Sequence, residues 1–353
     1  MSYMIKVSIL VPMYNVEKFL EECLDSLVNQ TLKEIEIICI NDGSKDNTLK
    51  IAKEYAKKGK RVVIIDKANS GYGDSMNRGL KKAKGEYVGI VESDDFIDLD
   101  AFEKLYDIAK KENVEVVKSN FYEYFGATKT DEGVSKLFPT REIGKVIDPA
   151  KNRLIFYQPP CIWAAIYKRG FLEENNINFL PTPGASYQDT GFNFKVWASA
   201  HRVYFVKRAF LHYRQDNSNS SVKDSNKIHC VQEEYEEIER YLKEKGLIDE
   251  FGSTMFTAKT GGYIWNLHRL KFKAALEFAD TVEKEYKRAE KMGWLEPKKL
   301  DRIGKHNVRY MAIKHPKTYV VLRPLHTAKT KAYSVARKVK HSILGKNNAK
   351  TKN

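Results

Sequence analysis

An α/β fold on a mostly parallel, Rossmann-like sheet flanked by helices is what this chain predicts, and three observations predict it. Through the first 120 residues, short β-branched runs alternate with stretches of helical period, the alternation of a doubly wound sheet. The runs at 35–40 and 87–91 have almost no polar break, as expected for strands covered on both faces. Each ends in an acidic turn, Asn41-Asp42-Gly43-Ser44 and Glu92-Ser93-Asp94-Asp95. Ligands of open α/β sheets sit beyond the carboxyl ends of the strands, so both turns should face one crevice. Converging carboxylates repel and are costly to desolvate, which makes a divalent cation with a polyphosphate or sugar hydroxyls their natural partner.

The elements follow in order. Residues 6–11 read as strand and 16–30 as helix, with Phe19, Leu20, Cys23, Leu24 and Leu27 on one face. After the strand at 35–40, a helix at about 46–58 takes Ser44 or Asp46 as its N-cap. Strands at 62–65, 87–91 and 114–119 alternate with helices at 74–83 and 100–111. The turn after the first strand, Pro12-Met13-Tyr14-Asn15, lacks the glycine fingerprint of a dinucleotide site, and no P-loop occurs. Residues 121–158 carry no clear period; structure resumes over 161–213, and 233–245 and 271–291 read as charged amphipathic helices. The expected organisation is a catalytic domain over 1–225, a helical region over 226–297 and a basic tail over 298–353.

Composition narrows the class. A chain of 353 residues that is 42% hydrophobic fills a large core. Four cysteines without paired short spacing suit a reducing cytoplasm. A strand that begins within a few residues leaves no room for a signal peptide, and no apolar run is long enough to span a bilayer. The net charge of +15 is concentrated: residues 298–353 hold 16 Lys and Arg against one acid, Asp301, while 1–297 balance at 45 against 45. A basic tail on a neutral body argues for docking on an anionic surface, not for gripping nucleic acid. Within it, Ala332, Val335, Ala336, Val339 and Ile343 share one helical face, suited to peripheral binding at an anionic membrane.

Five motifs stand in register: Val-Ser-Ile-Leu-Val-Pro-Met-Tyr-Asn at 7–15, the NDGS turn with Lys45-Asp46-Asn47-Thr48, Asn69-Ser70-Gly71, Asn77-Arg78-Gly79 and the ESDD turn. Over about residues 5–220 the chain resembles family 2 glycosyltransferases of GT-A fold, including those of bacterial surface-polysaccharide assembly. That resemblance implies an inverting, metal-dependent enzyme that moves a sugar from a UDP-sugar to a glycan or lipid-linked acceptor by direct displacement. It implies a donor site of Pro12, Tyr14, Asn15, Asp42, Asn69, Gly71, Asn77, Glu92, Ser93 and Arg214, with Tyr14 and Asp42 on the uracil. Glu92-Ser93-Asp94 stands where the family carries Asp-x-Asp, with Glu in place of the first Asp. Asp94 is then the expected Mn2+ or Mg2+ ligand, with Glu92 beside it and His212 completing the shell.

An attacking hydroxyl must lose a proton, so a further carboxylate is required across the sugar. Asp189, in Tyr187-Gln188-Asp189-Thr190-Gly191, is the candidate; relatives commonly carry Glu-Asp where this chain has Gln188-Asp189. The segment from His212-Tyr213-Arg214-Gln215 through residues 217–222 resembles the family's closure over the diphosphate, with Arg214 as a phosphate clamp. The expected location is the cytoplasm, peripheral to the inner face of the plasma membrane. Two rivals are a nucleotidyltransferase, which would show a glycine- and basic-rich loop after the first strand, and a nucleic-acid-binding protein driven by the tail.

Overall fold

In the computed structural model, residues 4–135, 137–217, 228–295 and 312–323 are described. The strands are β1 (Val7–Met13), β2 (Ile35–Asp42), β3 (Val62–Lys67), β4 (Tyr87–Ile90), β5 (Phe96–Ile97), β6 (Val116–Phe125), β7 (Thr130–Ser135), β8 (Val146–Ile147), β9 (Ala165–Lys168) and β10 (Val203–Arg214). The helices are α1 (Leu20–Val28), α2 (Thr48–Lys58), α3 (Tyr72–Lys82), α4 (Ala101–Glu112), α5 (Arg169–Glu174), α6 (Gln188–Ser199), α7 (Cys230–Glu244), α8 (Ile248–Arg269) and α9 (Phe272–Lys291).

One sheet organises the first compact unit, residues 1–255, in the order β3-β2-β1-β4-β9-β6-β10-β5. β3, β2, β1 and β4 are mutually parallel, and every residue of β1 and β2 is buried, as the unbroken apolar runs require. β9 then enters antiparallel to both β4 and β6, so β6 and β10 run the same way as β1. The carboxyl ends of β1, β2, β4, β6 and β10 therefore share one edge, and the amino end of β9 reaches it too. Pro12 sits inside β1 without breaking it. Leu10 faces β4, where its carbonyl accepts from Val91 N–H, so Pro12, two residues on, turns its missing donor to the side where β4 has ended.

The structure differs from the sequence reading in three places. β6 continues to Phe125 and pairs with β7, inside the stretch that shows no period in sequence. α1 is shorter than the apolar pattern, because residues 16–19 are turn, held by side chains of the turn before α2. The first compact unit runs past residue 225 to Met255, because α7 packs on α6. The second unit, residues 256–353, contains α9 and a helical stretch over 312–323. The tail pattern at 332–343 lies outside the described residues. All four cysteines are free, with Cys23, Cys39 and Cys161 buried.

Candidate active site

The exit from β1 is braced against the turn after β2. Asn15, at φ 54°, donates its N–H to Ser44 Oγ (3.1 Å) and accepts Lys45 N–H at Oδ1 (2.8 Å). Asp46 accepts Thr48 N–H (3.0 Å) at one oxygen and Glu17 N–H (3.1 Å) at the other, while Glu17 takes the backbone and side-chain amides of Asn47, both at 2.8 Å. Asp46 thus serves the start of α2 and the approach to α1 together. Tyr14, 50% exposed, overhangs a cavity of ≈ 240 Å³ lined by Asn15, Phe19, Asp46 and Asn217 among others. Its face is open for stacking.

Asp42 is buried at the end of β2, and its carboxylate closes the next turn. It accepts Ser70 N–H (2.8 Å) and Gly71 N–H (3.0 Å) and pairs with Lys67, while Asn69 Nδ2 reaches its carbonyl (3.0 Å). Gly71 has φ 97°, and a Cβ there would stand 2.5 Å from Thr182 O and 2.8 Å from Gly184 N. Only glycine admits that approach. Tyr72 N–H then donates to Gly184 O (2.9 Å). Asn77 exchanges two hydrogen bonds with the backbone of Phe179 (2.9 and 2.8 Å), and Gly79 lets α3 close on Leu10 and Ile40. The Asn69-Ser70-Gly71 and Asn77-Arg78-Gly79 motifs thus fasten the segment that leads to Asp189. Asn77 spends its side-chain amide there and presents none of it to a donor.

The ESDD turn is held from the far side. Arg214 is buried; its N–H donates to Asp95 Oδ1 (2.9 Å), its Nε to Asp94 O (2.8 Å), and its guanidinium pairs with Glu22 between the rings of Phe19 and Tyr124. Its forks are engaged inside the protein, so it positions the acidic turn where a phosphate clamp was expected. His212 is likewise occupied: Nδ1 meets Asp131 (2.9 Å), Nε2 meets Asp98 (3.1 Å), and the ring stacks on Phe96 and Tyr122. The metal trio of Asp94, Glu92 and His212 is not brought together, and no group of three His, Cys, Asp or Glu among the described residues is arranged to hold an ion.

The remaining carboxylates face one another electrostatically. Asp94 takes Asn217 Nδ2 at Oδ2 (2.7 Å). Glu92 accepts from Tyr72 Oη (2.7 Å); burial, with the charges of Asp94 and Asp189, pushes its carboxyl up to about 8. Burial raises Asp95 well above the carboxylate range, and its Oδ2 has no partner among the described residues. Ser93 is buried between them. Asp189 stands in the first turn of α6 with Thr190 N–H on Oδ1 (2.8 Å), and burial lifts it to about 6 despite that bond. Gln188 closes the loop before it, donating to Thr182 Oγ1 (2.9 Å) and accepting Ser186 N–H. Three buried or half-buried acids on one turn supply oxygen donors whose ionised forms burial disfavours, which fits a hard divalent cation that would compensate their charge.

Sequence reasoning missed Tyr72, Lys67 and Lys118. Lys118 is the informative one, a single lysine inside the apolar run Val114-Glu115-Val116-Val117-Lys118. It is 2% exposed, its Nζ has no partner among the described residues, and its ammonium lies 5.9 Å from the Trp197 ring of α6. Burial lowers it to about 8, opposed by the charges of Cys161 and Asp189.

The model of the family described as "Glycosyl transferase family 2" matches residues 8–175. The cholesterol galactosyltransferase of Borreliella burgdorferi is 31% identical over 257 residues, covering 69% of this chain and 70% of that protein. This chain belongs to glycosyltransferase family 2. The uncharacterized glycosyltransferase EpsJ of Bacillus subtilis is 35% identical over 219 residues, 61% of this chain, and the match spans only 62% of EpsJ. Among solved structures, residues 1–349 of S. aureus TarS in complex with UDP-GlcNAc superpose with a TM-score of 0.65 at 21% identity, covering 91% of this chain and 92% of that one. This member of family 2 therefore has the expected fold, with its strand-end carboxylates on the shared edge.

Proposed function

We propose that this chain is an inverting transferase that moves a sugar from a UDP-sugar to a hydroxyl of a glycan or lipid-linked acceptor in surface-polysaccharide assembly. The observation that carries the reading is Asp189: a carboxyl raised to about 6, at the head of α6, sharing a field with Glu92 on the opposite acidic turn. A base poised near working pH is what deprotonation of an attacking hydroxyl requires. The acceptor oxygen attacks the anomeric carbon as its proton passes to Asp189, and the bond from that carbon to the diphosphate oxygen breaks with inversion.

Tyr14 offers its face to the uracil, and Asp42 keeps the turn carrying Gly71 in place beneath the nucleotide. Asp94 would hold Mg2+ or Mn2+ with Glu92 beside it; the cation, when bound, neutralises charge on the departing diphosphate. The UDP-GlcNAc complex of TarS supports the UDP-sugar donor, and the cholesterol galactosyltransferase of Borreliella supports a lipid-borne acceptor. No helix of the described residues is long and apolar enough to cross a membrane, and the basic tail suits peripheral docking at the cytoplasmic face.

The test is a panel of UDP-sugars scored by thermal shift and donor hydrolysis, with and without Mn2+, on the wild type and Asp94→Ala. One or more donors should stabilise the wild type in a metal-dependent way that Asp94→Ala abolishes. Equal stabilisation by GDP- or CDP-sugars, or an unaltered Asp94→Ala response, would remove the reading.

A further inference from the structure

The turn joining α8 to α9 carries features that catalysis does not use. From Phe251 to Leu276 the chain contains no Asp or Glu, and Arg269-Leu270-Lys271-Phe272-Lys273 places three cations around one aromatic residue. Phe272 is 52% exposed, and Lys271 and Lys273 are exposed with no ion pair among the described residues. Trp265, one turn before the end of α8, is 42% exposed, with the Arg269 guanidinium 5.3 Å from its ring. The stretch 312–323 is fastened to the same turn: Arg323 Nη1 donates to the carbonyls of Leu267 and Leu270 (3.0 Å to the latter), and Tyr319 bonds His268.

A soluble surface scatters exposed apolar residues singly. Here Trp265 and Phe272 flank one turn, and every charged side chain from Phe251 to Leu276 is positive. Leu267 and Leu270 beneath are fully buried, so the exposed set is not displaced core. Apolar and aromatic side chains that enter the headgroup boundary, ringed by lysines that meet anionic lipid, make an interfacial anchor. The basic tail supplies a second, purely electrostatic attraction, and stable attachment generally takes two signals.

We propose that the α8–α9 turn is an anchor that inserts Phe272 and Trp265 into an anionic lipid surface. The inference rests on the peripheral-membrane reading above and gives it a defined contact distinct from the tail. It is tested on the full chain with vesicles of phosphatidylglycerol and phosphatidylcholine against phosphatidylcholine alone. The wild type should co-sediment only with the anionic vesicles, with a blue shift of tryptophan emission that Trp265→Phe removes. Lys271→Glu/Lys273→Glu should weaken binding by at least about tenfold, and Phe272→Ser should leave binding weaker and more salt-sensitive.

Every substituted position is exposed, so UDP-sugar hydrolysis should be unchanged in these variants and reports that they are folded. Anionic binding that the variants retain in full, without the Trp265 shift, overturns the anchor and leaves the tail as the contact. No binding by the wild type overturns the membrane reading as well, and hydrolysis still tests the transferase reading. Equal binding to neutral vesicles, or an RNA gel shift that requires Lys271 and Lys273 while vesicle binding does not, also overturns the anchor.

Discussion

The two sides of the crevice are built on opposite terms. On the β1–β2–α3 side the carboxylates of the turns have partners: Asp42 meets two backbone amides and Lys67, and Asp46 meets two more amides. On the β9–β6–β10 side, buried polar atoms lack partners among the described residues, including Asp95 Oδ2 and Lys118 Nζ. Burial raises Glu92 to about 8, Asp189 to about 6 and Glu234 to about 9. The first side is complete once folded and offers a rigid cradle. The second holds charge in readiness, which is the condition for proton transfer and costs stability.

The most damaging break is on the second side. Asp189→Asn should lower kcat by about 10²- to 10⁴-fold while the affinity for UDP stays within about twofold, because no donor-side contact changes. Retained transfer would remove Asp189 as the base. In the wild type, kcat/KM should fall as pH drops through about 6, since protonation of Asp189 removes the base. A profile flat between pH 5 and pH 8 would contradict that assignment.

Breaking the first side should act through folding and binding together. Asp42→Ala leaves Lys67 buried beside two unsatisfied amides, at a cost of about 3 kcal/mol. Denaturant midpoints should fall and UDP affinity should drop with them. A variant with wild-type stability would mean that the Ser70–Gly71 turn holds itself. Gly71→Ala is a smaller perturbation of the bridge between the two sides: a left-handed φ and a 2.5 Å approach to Thr182 O should cost about 2 kcal/mol and displace the loop before Asp189. Its kcat should fall more than its UDP affinity, and the reverse order would uncouple that loop from α3.

This contrast also explains what could be read in advance. The strand–helix alternation to residue 120 was legible because buried parallel strands leave unbroken apolar runs, and the strand-end carboxylates followed from topology. β9 was not, since a four-residue antiparallel strand leaves too short a period. Asn77, Arg214 and His212 were legible as polar residues in motif positions, but motif register says nothing of whether their donors are already spent within the fold. Arg214 is spent on Asp94 and Glu22, Asn77 on Phe179, His212 on Asp98 and Asp131. Lys118 offered one signal, a cation inside a buried strand.

Lys118 gives the finest test of the contrast between the two sides. Its ammonium pays for burial without a hydrogen bond, so its folded pKa, about 8, lies below the roughly 10.4 of an unfolded lysine. The folded state therefore binds this proton more weakly, and stability should rise with pH between about 8 and about 10.4. Lys118→Met should erase that slope and leave stability at pH 7 unchanged or higher, because a buried unpaired charge is replaced by an apolar chain of similar volume. The charge it removes also favours ionised Asp189. The acid limb of kcat/KM should accordingly move to higher pH, by up to about one unit at the separations typical of neighbouring elements. A lysine that only fills space would leave the limb where it was. If the limb stays while the stability slope disappears, Lys118 is a structural cation, and the readiness of Asp189 comes from burial alone.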